Sequence, residues 1–440
     1  MKIKVNGESG NALIIVLVVS ALMGVSLASY LGMVSNQNMS IMRSLAWNTA
    51  VPVAEAGVEE AMAHLNKNLT NRTADGWTLV GTNVVKEKTI GDGKYRTSVS
   101  ALIDPPVITS EAWVRNPLNG EYLPMPRTVR ATTVNDALFA KGMVAKGSID
   151  LNGTGITTDS FDPDDSSLST GGKYDVAKRG DKGDIATNSS VLDTLNVWNA
   201  EIYGKASTGP GGNIRLHNGT VGSKAYHASG ATGIQPGWSS DDMNVQFPDV
   251  KHPYAGTGIV PITVTGGSYP INGVTYDYFL LGGNNYKAGS GLNLKNKKLI
   301  VLGPGPATLY VEGGDIEITG AGGITIATNA SLALYMNGPA FKGGGNGVIN
   351  MSGRANQFSY WGMPNNTSVS LQGNSDFVGT IYAPNANYTL GGGGSSGDDF
   401  MGASITKTVT MGGHFKFHYD ESLGRIGPRR GYTIASWNEL

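Results

Sequence analysis

The chain has 440 residues, longer than one ordinary domain, so we expect two or more folded units. Its 33 Lys and Arg residues balance 34 Asp and Glu residues, which gives no overall attraction to nucleic acid or anionic lipid. The absence of cysteine excludes disulfides and thiolate chemistry. Its 63 glycines are spread among short β-rich runs, a composition typical of a β protein with many turns.

The N-terminal segment combines a short basic leader with a long apolar run. Lys2 and Lys4 lie within the leader, residues 1–10, whereas residues 11–42 contain no Asp, Glu, Lys, Arg or His. The run from Ala12 to Val34 is long enough to span a hydrocarbon core of about 30 Å as a helix. Because the lysines precede this span, the positive-inside bias predicts a cytoplasmic N-terminus and an exported remainder. A secretory signal peptide fits less well, since its apolar core is only about 7–15 residues long.

The helical pattern continues beyond the membrane segment, so we predict one helix over residues 11–70. Its second half is amphipathic, because five apolar residues fall on one stripe. These residues are Ala54, Val58, Ala61, Met62 and Leu65. Pro52 lacks an N–H group and is expected to bend the helix gently.

The leader ending in Gly10, the run NALIIVLVVSALMG and the later run AEAGVEEAMAHL resemble the N-terminal region of type IV pilins. The closest resemblance is to the minor-pilin group called the PilX family, over about the first 130 residues. It implies that a prepilin peptidase cuts between Gly10 and Asn11, with Gly7 as the alternative site. Most major pilins carry a glutamate at the fifth mature position, where this chain has Ile15. That departure resembles minor pilins and tip pseudopilins.

The resemblance also implies partners and a location. The partners would be a prepilin peptidase, the inner membrane and other pilin or pseudopilin subunits, which contact the chain through its N-terminal helix. The protein would cross the inner membrane once before assembly and then reach a cell-surface or extracellular filament. Both a type IV pilus and a type II secretion-like filament remain open, and so does a single-pass anchored protein that never assembles. No nucleic-acid partner is expected.

Two β regions follow the helix. Over residues 75–135, two alternating runs flank the turn Gly91-Asp92-Gly93, and two further strand-like runs follow, which predicts a small antiparallel pilin-like sheet. Over residues 136–425 the chain is rich in glycine, and the segments beginning at Asp376 and Asp399 repeat the pattern D-F-x-G. Their offset of about 21–24 residues is the period of one solenoid coil.

We therefore predict a mainly β protein in which a right-handed parallel β-helix occupies residues 136–425. A β-sandwich is the alternative. The final segment, residues 426–440, contains one more strand, which either caps the last coil or returns to the pilin-like sheet. An exported β-helix would serve adhesion or a structural role, with surface polysaccharide as a candidate ligand.

A polysaccharide-active enzyme is the main competing hypothesis. The order of Asp398, Asp399, His414 and Arg425 resembles the motifs of polygalacturonases, in which paired carboxylates act on a glycosidic bond. The match then fails, since Gly427 stands where the lysine belongs and no N-T-D motif precedes the pair. We predict no enzymatic activity and no catalytic residues. The alternatives are a membrane-anchored pectinase-like enzyme and a passive surface-layer protein.

Two groups of residues were considered as metal ligands. On a strand, His414 and His418 would lie about 13 Å apart, too far to bind one ion, so an amphipathic strand explains them better. Five aspartates in FDPDDSS and GDKGD could offer oxygens to calcium, but neither segment fits a calcium-binding loop. These residues are Asp162, Asp164, Asp165, Asp181 and Asp184. No metal site and no cofactor are predicted.

Overall fold

The computed structural model describes residues 9–69, 71–116, 119–373, 377–392 and 400–440. The chain divides into two compact units: unit 1 combines Met1–Asp136 with Arg430–Leu440, and unit 2 is Ala137–Arg429. The prediction of a mainly β protein that begins with a long apolar helix is confirmed. The first eight residues of the predicted leader lie outside the described residues.

Helix α1 spans Ser9–Lys67, and Pro52 lies within it without ending the helix. Its first half is long and apolar enough to cross a bilayer, and none of its most apolar window is buried within the chain. The predicted stripe of the second half is buried except for Met62, which is half-buried. Only the second half of α1 therefore packs against other residues of the chain, whereas the first half is exposed.

The sheet of unit 1 is antiparallel, as predicted. Five of its strands are β1 Thr78–Val80, β2 Asn83–Ile90, β3 Gly93–Ser100, β4 Val107–Val114 and β5 Arg127–Ala137. They lie side by side in chain order, and the C-terminal strand, Arg429–Glu439, lies next to β5 at the edge. The predicted hairpin is β2 and β3, whose turn places Gly91 at a φ of 55°. Of the two positions left open for the C-terminal strand, the structure selects the return to this sheet.

Helix α1 packs closely on β3 and β4 because Gly57 has no side chain. A Cβ atom at Gly57 would lie 2.3 Å from both the Thr97 and the Ser110 hydroxyl oxygens, which are hydrogen-bonded to each other. One turn further on, Glu60 forms an ion pair with Lys86 at 2.9 Å and accepts a hydrogen bond from the Tyr95 hydroxyl. The second half of α1 is thus fixed to the sheet by both close approach and charge.

Unit 2 consists mainly of short strands. In chain order they are β6 Met143–Ala145, β7 Ile149–Asp150, β8 Thr157–Phe161, β9 Ile185–Thr187, β10 Leu195–Trp198, β11 Glu201–Tyr203, β12 Ala206–Ser207, β13 Ile214–Leu216, β14 Thr220–Gly222, β15 Gly233–Ile234, β16 Ser239–Ser240, β17 Ile262–Thr263, β18 Tyr269–Ile271, β19 Val274–Tyr276, β20 Tyr278–Leu281, β21 Asn285–Ala288, β22 Leu292–Lys295, β23 Lys298–Leu302, β24 Gly305–Val311, β25 Ile316–Thr319, β26 Gly323–Ile326, β27 Ala330–Met336, β28 Ala340–Gly343, β29 Val348–Asn350, β30 Phe358–Gly362, β31 Ser368–Gly373, β32 Phe377–Gly392, β33 Phe400–Met411 and β34 Lys416–Asp420. The short helices are α2 Lys224–Ala228 and α3 Leu423–Ile426, with single 3₁₀ turns at Val176–Lys178 and Ala355–Gln357.

The large sheet of unit 2 has 27 strands, and its ladders between described strands are parallel. From β20 to β29 each strand pairs with the third strand after it, so that β20 pairs with β23 and β23 with β26. The predicted repeat lies in register, because Phe377 pairs with Phe400 and Gly379 with Gly402. Parallel ladders do not fit the β-sandwich alternative, whose sheets are antiparallel.

The first and last strands of unit 2 meet in the middle of the sheet. One continuous ladder has the spatial order β17, β21, β24, β27, β30, β32, β33, β6, β9, β12, β16. The chain therefore runs from the middle to one end, crosses to the opposite end through residues 241–261, and returns. Along this crossing the Tyr254 hydroxyl donates to the Tyr286 carbonyl, and the Tyr382 hydroxyl donates to the Pro248 carbonyl.

Candidate functional site

The exposed half of α1 is the first candidate site. Gly10 and Asn11 lie in the first turn of α1. The Ile15 side chain, at the fifth position after the predicted cut, is 62% exposed. A run of exposed apolar side chains without charge is costly in water, so this segment requires lipid or another protein as its surroundings.

A groove in unit 1 adjoins the end of this exposed segment. It has a volume of about 730 Å³ and lies between α1 and the segment 119–125. We call it the helix-end groove. It is lined by Arg43, Ser44, Trp47, Asn116, Asn119, Glu121, Tyr122, Leu123, Pro124 and Met125.

Stacked cations hold the aromatic rings of the helix-end groove. The Arg127 guanidinium lies 4.7 Å from the centre of the Trp47 ring. Arg115 and Lys94 lie 4.8 Å and 4.5 Å from the centre of the Tyr122 ring. Cation–π contacts of this kind help to fix the orientation of a ring.

The second candidate site is a buried polar cluster in unit 2, where β34 pairs with β8. We call this ladder the seam; it pairs Lys416–Asp420 with Thr157–Phe161 and places His418 directly beside Asp159. The His418 ring nitrogen Nδ1 is 2.5 Å from Asp159 Oδ1, and the Tyr174 hydroxyl donates to Asp159 Oδ2 at 2.7 Å. The Tyr174 ring also stacks on His418, with ring centres 3.6 Å apart.

A second charged layer surrounds this pair. Glu421 is buried and accepts hydrogen bonds from the Ser160 hydroxyl at 2.8 Å and from Lys182 at 2.7 Å. The bond to Glu421 raises the pKa of Lys182. Burial raises the pKa of Asp420, although hydrogen bonds from Ser422 oppose that effect. Three buried carboxyls therefore lie close together at the seam: Asp159 contacts His418 and Tyr174, Glu421 pairs with Lys182, and Asp420 is a group whose charge burial disfavours.

Two of the five aspartates considered for calcium, Asp162 and Asp164, have arginine partners in this cluster. Arg425 donates two hydrogen bonds of 2.8 Å to Asp162 and holds the pKa of that carboxyl below its ordinary value. Asp164 pairs with Arg354 at 2.9 Å and with Arg425 at 3.2 Å. Within the described part of the chain, no group of three or more His, Asp or Glu side chains is placed to hold a metal ion.

The residues that resembled a polygalacturonase motif are not brought together as a site. Asp398 and Asp399 lie outside the described residues. His414 is exposed in the turn before β34, whereas Arg425 is engaged with the aspartates of the seam cluster. The predicted strand is present, but its polar face is not turned to solvent, because His418 and Asp420 are buried. The pair His418–Asp159 was not predicted from the sequence. The available signal was the aspartate within the strand-like run TTDSF, a strand that is buried in the structure.

Comparisons with known proteins add one family match. Residues 279–426 match a family described as a domain of unknown function (DUF7305), about a third of the chain, from β20 to α3. No curated protein matches the chain. The crystal structure of the competence-associated pilin ComZ from Thermus thermophilus is similar at 11% identity, covering 90% of this chain and 98% of that chain, with a TM-score of 0.30. The DUF3494 domain of an ice-binding protein from Shewanella frigidimarina is 12% identical, covering 65% of this chain and 99% of that chain, with a TM-score of 0.27. Both TM-scores are too low to assign a shared fold.

Proposed function

We propose that the chain is a minor pilin or pilin-like subunit of a surface filament, either a type IV pilus or a type II secretion-like filament. One observation carries the proposal: α1 is a continuous helix whose first half is apolar and uncovered, while its second half is packed on an antiparallel sheet. Such a helix can anchor in the inner membrane and later exchange lipid for the helices of other subunits. The absence of a glutamate at Ile15 favours a minor or tip position, as the PilX-like leader does.

Unit 2 is proposed to be a right-handed parallel β-helix that the filament displays for adhesion or spacing, with surface polysaccharide as a candidate ligand. The support is that each strand from β20 to β29 pairs with the third strand after it, which is what stacked coils of three strands produce. Right-handedness follows from the general preference of parallel crossovers, about 98% of which are right-handed.

Cleavage by a prepilin peptidase tests the assignment. Co-expression of the full chain with the peptidase is expected to remove ten residues and leave Asn11 as the new N-terminus, as read by mass spectrometry of the N-terminal peptide. Gly10→Leu should block the cut, while the matched variant Gly7→Leu should leave it unchanged. The reverse result would move the cut to Gly7. An uncut wild-type chain, or a cut near Ser29, would contradict the pilin assignment.

A membrane-anchored enzyme is the second candidate, and we propose that the chain is not one. The purified full chain is expected to release no reducing sugar from polygalacturonate. The Asp398→Asn variant, which lacks the carboxylate of the partial motif, serves as the control. Release by the wild-type chain that Asp398→Asn abolishes would contradict the proposal and favour the pectinase-like reading. A chain that is cut and exported but never joins a filament would favour a passive surface-layer protein.

A further inference from the structure

We propose that the helix-end groove of unit 1 binds the headgroup of an anionic phospholipid, in the leaflet on the exported side of the membrane. The inference rests on the proposed function, because it requires that the apolar half of α1 anchor in a bilayer. It adds a ligand and a binding site: a headgroup with net negative charge, held between residues 43–47 of α1 and residues 119–125.

The length of the uncharged segment places the groove at the level of the lipid headgroups. Residues 12–42 belong to one continuous helix and contain no charged residue. At 1.5 Å per residue they are about 46 Å long, or about 44 Å along the membrane normal at an ordinary tilt of about 20°. A bilayer with its headgroups is about 40–45 Å thick. Arg43, the next residue, therefore lies among the headgroups on the exported side.

The side chains at this level are of the types that favour a membrane surface. Trp47 and Tyr122 line the groove, and aromatic residues of this kind are enriched at membrane–water interfaces. Leu45, beside the groove, is 56% exposed, and Met125 in its lining is 68% exposed. These apolar side chains are placed to contact the glycerol and the first acyl carbons of a lipid whose phosphate lies in the groove.

The groove is positively charged, although the chain as a whole is nearly neutral. The charged side chains that line it or stack on its rings are Arg43, Lys94, Arg115, Arg127 and Glu121. Glu439 forms an ion pair with Arg127, so four positive charges less two negative charges leave a net charge of two. The groove therefore attracts a headgroup with net negative charge more strongly than a zwitterionic one.

Two arginines are available to hold the lipid phosphate. Arg43 and Arg115 are exposed, and neither has a carboxylate within ion-pair distance in the described part of the chain. Arg115 also donates a hydrogen bond of 2.9 Å to the Gly120 carbonyl, which holds it beside the groove. A guanidinium donates two parallel hydrogen bonds to phosphate oxygens, so these residues are the expected phosphate ligands. At the headgroup level, lipid phosphates are the anions concentrated around them.

Lipid binding by the full chain tests the proposal. The chain in a neutral detergent is titrated with phosphatidylglycerol or phosphatidylcholine of the same acyl chains, and native mass spectrometry counts the lipids retained. We expect preferential retention of phosphatidylglycerol, and Arg43→Gln should weaken it about fivefold, the contribution of one basic residue near an anionic surface. Arg43→Lys should keep most of the binding. Glu121→Gln should strengthen it, a gain that damaged folding does not produce.

Lys67→Gln is the matched control, because it removes one positive charge from an exposed side chain at the other end of α1. Lys67 lies about 36 Å along the helix from Arg43 at 1.5 Å per residue. Equal retention of the two lipids overturns the proposal, and so does a loss with Lys67→Gln as large as that with Arg43→Gln. Displacement of bound phosphatidylglycerol by inorganic phosphate at the same concentration also overturns it, since the site would then be one for a free anion.

A second measurement determines the level of the groove in the membrane. The chain contains no cysteine, so a fluorophore can be attached at one introduced cysteine of the full chain in lipid nanodiscs. A nitroxide on the lipid headgroup should quench the label at Met125→Cys but not at Leu102→Cys. Leu102 is 80% exposed, and the neighbouring Ala101 carbonyl accepts a hydrogen bond from Arg72, beyond the far end of α1.

A label at Leu27→Cys separates the two possible failures. Leu27 lies near the middle of the apolar segment, so a nitroxide on the lipid acyl chain should quench its label. Quenching at Leu27→Cys without quenching at Met125→Cys refutes the lipid site alone. Absence of quenching at Leu27→Cys refutes membrane anchoring, and with it the proposed function as well.

Discussion

Replacing Gly402 by alanine is expected to lower the free energy of unfolding of unit 2 by about 3 kcal/mol. Gly402 has a φ of 142°, a backbone conformation that side chains disfavour. An added Cβ would lie 1.8 Å from the carbonyl oxygen of Gly379 in the neighbouring strand. Because Gly379 and Gly402 pair in register, that oxygen cannot move without opening the ladder.

The Gly402→Ala substitution is also expected to disturb the packing of the core beside Gly402. Phe377, Phe400 and Phe417 are stacked across the three paired strands β32, β33 and β34, with ring centres 5.0 Å and 4.4 Å apart. A shift of the backbone at Gly402 displaces this stack, since Phe400 is only two residues away. Close packing in a protein interior leaves little room for such a shift without loss of contacts.

Gly391→Ala is the matched control for this prediction. Gly391 lies on β32, which pairs with the strand that carries Gly402, and an added Cβ there meets no heavy atom within 4 Å. Alanine at this position should change stability by less than about 1 kcal/mol, since it mainly restricts the unfolded chain. Thermal unfolding of both full-length variants in detergent, followed by the β signal in circular dichroism, compares the two. Equal melting temperatures would show that the paired strands accommodate a Cβ atom at Gly402 more easily than their geometry indicates.

Local patterns in the sequence predict the elements whose contacts are local. The absence of charge over residues 11–42 predicts the exposed half of α1, and the Gly91-Asp92-Gly93 turn predicts the β2–β3 hairpin, because each signal lies within a few residues of the structure it specifies. The D-F-x-G repeat likewise predicts the in-register pairing of β32 with β33, since a fixed period brings equivalent residues together in adjacent strands.

The seam could not be predicted in this way. His418 and Asp159 are 259 residues apart in the chain, and they meet only because the first and last strands of unit 2 lie side by side. A repeat period indicates that successive strands pair with one another. It does not indicate that the first strands of unit 2 lie beside the last ones. For the same reason the aspartates of FDPDDSS were considered for calcium: their partner, Arg425, lies far along the chain and was interpreted as part of a different motif.

Among the polar contacts of unit 2, those at the seam are expected to contribute most to the stability of the unit. Asp159→Ala should destabilise the unit by about 2–5 kcal/mol, because two buried hydrogen bonds are lost at about 1–3 kcal/mol each. Asp159 is fully buried, and its carboxylate contacts His418 Nδ1 and the Tyr174 hydroxyl. Alanine removes both contacts and cannot readmit water to groups that the surrounding strands enclose. Asp159→Asn keeps the shape and one acceptor, so it should recover part of the loss.

Asp164→Ala separates this effect from a general loss of charge in the same cluster. Asp164 pairs with Arg354 and Arg425, but its side chain is 42% exposed, so its removal should cost no more than about 1 kcal/mol. Chemical denaturation of the full-length variants measures both costs on one scale. If Asp159→Ala were no more harmful than Asp164→Ala, the ladder between β34 and β8 would be held by its backbone hydrogen bonds and by the apolar contacts of Phe417. A large difference would instead mean that the buried polar contacts of Asp159 join the two ends of unit 2.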